Sequence, residues 1–95
     1  MENELEKVLR CVSQAYDIPV RVILSRNQGR VATEARCVAI HIAFMRFKTN
    51  VSQLVSFFHR CKSAIYWAID KYSWLLKHDR QIRENYQSVI RLLEK

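Results

Sequence analysis

Glycine and proline are nearly missing from this chain, which holds one of each, Gly29 and Pro19, in 95 residues. A sandwich, a barrel or a glycine-rich phosphate loop needs repeated turns with φ > 0, and one glycine cannot supply them. Helices need almost none, so the composition predicts an all-α fold. Long apolar runs are missing too. The longest, Cys37 to Met45, is interrupted by His41 and falls far short of the roughly 20 residues of a membrane helix. The three cysteines, at positions 11, 37 and 61, are odd in number and share no short metal-type spacing. A disulfide framework and a zinc site are therefore not expected, nor is any cofactor. The opening Met1-Glu2-Asn3-Glu4 has neither the basic start nor the apolar stretch of a signal peptide, which predicts a cytoplasmic protein, nucleoid-associated if bacterial.

Acidic residues are scarce where basic ones gather. Residues 18 to 69 contain Arg21, Arg26, Arg30, Arg36, Arg46, Lys48, Arg60 and Lys62 against Glu34 alone, which accounts for the whole net charge of +7. Such a concentrated positive field is the electrostatic footprint of a nucleic-acid binder; a basic solvated surface is the blander explanation. The length suits one domain, residues 1–95, and 49% hydrophobic side chains suffice for a core.

Apolar spacing sets out the elements. Asn3-x-x-Glu6 can form a capping box, and Leu5, Val8, Leu9, Val12 and Tyr16 follow at helical intervals, so a first helix should end near Tyr16 or Asp17. Pro19 suits the first turn of a short helix through Leu24. Ser25 to Arg30 holds the only glycine and two arginines and is expected to be an exposed basic loop. From about Thr33 to Phe47 a stripe of Ala35, Val38, Ala39, Ile42 and Met45 is widened almost all round by Ile40, Ala43, Phe44 and Phe47, which predicts a central helix. Val51 to Phe58 is a short helix and His59 to Cys61 a tight corner. A longer helix follows over Lys62 to Leu76 with Ala64, Ile65, Ala68, Ile69, Tyr72 and Leu76 inward. Asp79 can cap a last helix bearing Ile82, Tyr86, Val89, Ile90 and Leu93.

Catalysis finds no support in this pattern. The histidines at 41, 59 and 78 lie on different elements, no Cys-His pair is implied, and the basic region has no carboxylate pair, so neither an enzyme nor a small-molecule substrate is expected. His41, on an apolar face, is expected to be a core or boundary residue rather than a ligand. The helix, corner and helix over 51–76 have the spacing of a helix-turn-helix, whose second helix enters the major groove N-terminal end first. Arg60, Lys62 and Ser63 stand at that end as donors for phosphates or base edges.

In this order of elements the chain resembles the C-terminal DNA-binding domain of the bacterial replication initiator DnaA, with its Trp-repressor-like helical fold. Val20-Arg21-Val22-Ile23-Leu24 matches the family's "V-x-x-L" step, and Ala35-Arg36-Cys37-Val38-Ala39-Ile40 its "ARQIAM-like" start. Val51-Ser52-Gln53-Leu54 and Phe58 through Ile69 match its "SLxEIGxxxGRDHSTVxHAI-like" helix-turn-helix. The resemblance implies about six helices, a recognition helix in the major groove, and Arg26 or Arg30 of the loop in the neighbouring minor groove. It aligns Arg60 with the Arg of the "GRDH" signature and Ser63 with its Ser or Thr, and makes Arg36, Arg46 and Lys48 candidates for phosphate contacts. Double-stranded DNA is then the partner, and replication or its regulation the process. With its own Met1 and a complete capping box, the chain is expected to be a stand-alone relative.

Departures from that pattern bear on specificity. Where the family has Gly, Asp, His and Thr, this chain has His59, Cys61, Lys62 and Ala64. Cys61 cannot accept from a cytosine amino group as Asp does, and Ala64 can touch a thymine methyl without a hydrogen bond, so sequence preference should be altered or relaxed. Cys61, between Arg60 and Lys62, is expected to have a lowered pKa; it is either a redox-sensitive thiol or an inert small residue. One of Tyr66 and Trp67 should face outward, to DNA or against the basic loop, and Trp74 is a candidate partner contact. Two other functions fit the same residues: a protein-interaction adaptor that kept the fold and uses Tyr66, Trp67 or Trp74, and a binder of single-stranded nucleic acid or RNA.

Overall fold

A computed structural model describes residues 2–95. It contains α1 (Glu4–Tyr16), α2 (Val20–Ile23), α3 (Arg30–Phe47), α4 (Val51–Phe58), α5 (Lys62–His78) and α6 (Arg80–Leu93), with no strand among the described residues. The all-α expectation holds. Asn3 Oδ1 accepts from Glu6 N at 2.8 Å while Glu6 Oε1 accepts from Asn3 N at 3.2 Å, the reciprocal capping box that the spacing predicts. Asn50 and Gln53 cap α4 in the same manner, and Asp79 Oδ1 accepts from Ile82 N at the start of α6. Pro19 stands at the N-cap of α2, one position before the first turn in which it was expected.

The central helix is α3. Every residue from Ala35 to Ala43 is buried, and α1, α2 and α5 pack on it while α6 closes over α1 and α5 and α4 leans on α5. It starts at Arg30, three residues earlier than the apolar pattern suggests, because Arg30 and Val31 are exposed and the one buried residue of that turn, Ala32, makes no period by itself. Asn27 Oδ1 accepts from Gly29 N at 2.7 Å, and Gly29 O accepts from Thr33 N at 2.9 Å, so a side-chain turn feeds the chain into the helix. Met45, expected inward, is instead 48% exposed, while Phe44 and Phe47 of the same turn pack against the core. Helix α5 runs two residues beyond Leu76. Ala64, also expected inward, is half-buried at the edge of the core.

Glu34 and His41 on α3 find partners inside the fold, whereas the buried Thr33 hydroxyl oxygen has none. His41 lies in the core with Nδ1 at 2.9 Å from the Tyr86 hydroxyl and Nε2 at 2.9 Å from Ser73 Oγ, tying α3 to α5 and α6. Glu34, the one acid in the basic middle, accepts from the Tyr16 hydroxyl at 2.6 Å and from Asn85 Nδ2 at 2.9 Å, joining α1, α3 and α6.

Left-handed backbone occurs at Asp17, Lys48 and His59, each ending a helix, whereas Gly29 has φ of −59°. The single glycine is therefore not spent on a conformation that demands it. An L-residue at such a cap is strained by roughly 1 kcal/mol relative to glycine. His59→Gly is expected to raise the unfolding free energy by about 1 kcal/mol in urea titrations; a loss of stability would contradict the left-handed corner. Burial holds the His41 imidazole below its ordinary value of 6.5, so the neutral form belongs to the folded state. Its contribution is complete above pH 6.5 and is lost as pH falls toward the depressed folded value. As pH falls from about 7.5 to about 5 the parent should lose more stability than His41→Gln, read from urea midpoints at each pH.

Candidate nucleic-acid interface

The corner between α4 and α5 is built from its apolar anchors outward. Leu54 and Phe58 are fully buried and fix α4 on the core, each by about 2 kcal/mol of apolar transfer. The chain then turns through left-handed His59, and Arg60 N donates back to Val55 O at 3.3 Å. Cys61 takes the N-cap of α5 with extended backbone and no side-chain cap bond. The first amides of α5 thus lie beside Lys62 and Ser63, both exposed, and this end of the helix favours anions.

Arg60 faces the other way. Its guanidinium is half-buried and donates to Ser25 O at 2.6 Å, with longer contacts to Phe58 O and His59 O. Arg36 is 5% exposed and donates through Nε to Ile23 O at 2.8 Å and through Nη2 to Ser25 O and Asn27 O, both at 3.0 Å. Its expected phosphate contact is therefore corrected: all its geometry is spent on three carbonyls, and it is a strut under the basic loop. Burial and the nearby Arg60 charge both lower its pKa. The Ser25 carbonyl receives both guanidiniums, so one atom joins the loop, α3 and the helix-turn-helix corner. An arginine inside the otherwise apolar Ala35–Ile40 stretch was the available sequence signal for this internal role.

Other expected contacts divide into two groups. Arg26 is exposed on the loop, and Arg30 is exposed but forms the first residue of α3, which corrects its assignment to the loop. Arg46 and Lys48 lie at the far end of α3, roughly 24 Å along the axis from Arg30, where Arg46 is 3.8 Å from Glu94 in an exposed pair. A cleft of about 250 Å³ separates the loop from α5 and is lined by Gln28, Thr33, Arg36, Arg60, Ala64 and Trp67, among others.

Tyr66, Trp67 and Trp74 all project from α5, 44%, 55% and 54% exposed, where only one of the first two was expected to. Cys61 is exposed and its thiol pKa is lowered, in the expected direction but by the Ser63 hydroxyl, with Sγ and Oγ 3.3 Å apart, and by backbone amides rather than by the flanking cations. Among the described residues no cluster of His, Cys, Asp and Glu could hold a metal, and no helix is long and apolar enough to cross a membrane. No family model matches the chain, and no curated protein does.

Removing the strut separates its role from that of a phosphate ligand. Arg36→Ala is expected to lower the unfolding free energy by about 2 kcal/mol and to speed amide exchange over 25–29, because it leaves the Ile23 and Asn27 carbonyls without their charged donor and Ser25 O with Arg60 alone. Unchanged stability with weakened DNA binding would restore the phosphate role.

Proposed function

We propose that this protein binds double-stranded DNA through the helix-turn-helix of α4 and α5, as a DnaA-like domain acting in replication or its regulation. The observation that carries this reading is the open N-terminal end of α5, with Lys62 and Ser63 exposed beside unpaired helix amides, set in the part of the chain that holds the whole +7 charge. Lys62, Ser63 and Ala64 would meet the major groove. Arg26 and Arg30 extend from the adjacent loop and helix start toward the minor groove or backbone, and Arg46 and Lys48 contact phosphates at a distance. Arg60 reads DNA only by exchanging the Ser25 carbonyl for a base edge or phosphate; otherwise it shapes the loop. With Cys61 and Lys62 in place of Asp and His, preference is relaxed toward phosphate binding. This reading implies a cytoplasmic, nucleoid-associated protein.

The exposed Tyr66, Trp67 and Trp74 favour one other reading, an adaptor that kept the fold but lost sequence-specific reading. Selection from a random duplex library at two salt concentrations decides between them. An enriched motif is expected for the DNA reading, and absence of binding near physiological salt for the adaptor. Lys48→Ala and Arg46→Ala should each weaken all sequences and lower the salt slope by about 1, while Lys62→Ala should also alter the enriched motif.

A further inference from the structure

The outward face of α5 carries a feature that duplex reading does not use. Trp67, Lys71, Trp74 and His78 recur at i, i+4, i+7 and i+11, which sets them in one row along the helix. Trp67 and Trp74 are more than half exposed and stand two turns apart, roughly 11 Å, with Lys71 between them. Lys71 Nζ lies 5.5 Å from the Trp74 ring centre, His78 stacks on the same ring at 4.2 Å, and Lys62 Nζ lies 6.0 Å from the ring of Tyr66 beside the row. Cations and aromatic faces alternate.

We propose that this row binds single-stranded nucleic acid, its bases stacking on Trp67 and Trp74 while Lys71 meets the phosphate between them. Three considerations select this occupant. A duplex shows only base edges in its grooves, so an indole face finds no stacking partner there, whereas every unpaired base offers one. The core of a protein interface is depleted in lysine, yet here a lysine divides the two indoles. Finally, the exposed charges of α5 are Lys62, Lys71 and Lys77 against Asp70 alone, complementary to a polyanion. The inference goes beyond duplex binding and does not depend on it.

The chain's two tryptophans are both in the row, so indole fluorescence reports the site directly. Titration of the full chain with a short oligothymidylate should quench the emission. Trp74→Leu should weaken that binding roughly tenfold while Trp74→Phe keeps most of it, the difference that stacking makes. Duplex affinity should be unchanged by Trp74→Leu, because position 74 lies three turns from the end of α5 that would enter the groove. The exposure of Trp74 lets the variants fold, and helical circular dichroism checks that they do. Absence of quenching overturns the proposal. So does equal quenching by polyphosphate, equal loss for duplex and single strand, or an emission shift with protein concentration alone, which would mean that a second copy covers the row. Loss of duplex binding with oligothymidylate quenching retained overturns the duplex reading and leaves this one standing.

Discussion

Burying a helix on all its faces removes the solvent that would otherwise satisfy its polar side chains, and α3 carries Glu34, Arg36 and His41 into that position. An unpaired carboxylate, guanidinium or imidazole there would cost several kcal/mol, comparable with much of the stability of a small domain. Each is instead given partners on a different part of the chain. Glu34 joins α1 and α6 through Tyr16 and Asn85, His41 joins α5 and α6 through Ser73 and Tyr86, and Arg36 holds the turn after α2 through three carbonyls. Apolar packing brings the helices together, and these bonds favour the arrangement in which the three ionisable groups are all paired, while the buried Thr33 hydroxyl is left without a partner.

The same constraint shapes the surface. Because Arg36 reaches from α3 into the loop and Arg60 reaches from the corner to the same Ser25 carbonyl, the basic loop is tied to the helix-turn-helix rather than left free. A loop ordered before binding loses less entropy on meeting a partner, so the positive groups on either side of the cleft act as one surface. Arg46 and Lys48, at the far end of α3, widen that surface without sharing its internal bonds.

The corner shows how backbone and side chain divide the work. His59 occupies a left-handed position that glycine accommodates freely, so the corner forms without the residue best suited to it. Cys61 takes the N-cap of α5 without a side-chain cap bond, where an Asp or Ser side chain would accept from the helix amides.

Local pattern was sufficient for the elements. The scarcity of glycine and proline, the Asn3–Glu6 capping box, the Asp79 cap and the almost continuous apolar surface of α3 each act within a turn or two of chain, so all six helices, the corner and the place of His41 in or at the core were legible in order, while the second capping box, Asn50 with Gln53, went unread. The first turn of α3 was not, because Arg30 and Val31 are exposed and Ala32 alone makes no period, and Met45 failed because period alone does not say which positions a neighbouring helix covers. The direction of each arginine was decided only by tertiary structure. Arg36 and Arg60 look like Arg26 and Arg30 in the sequence, yet two turn inward because the carbonyls after α2, exposed by the end of that short helix, come within reach across 9 to 35 residues of chain. Charge is a property of composition, but whether a charge is available depends on what the folded chain sets beside it.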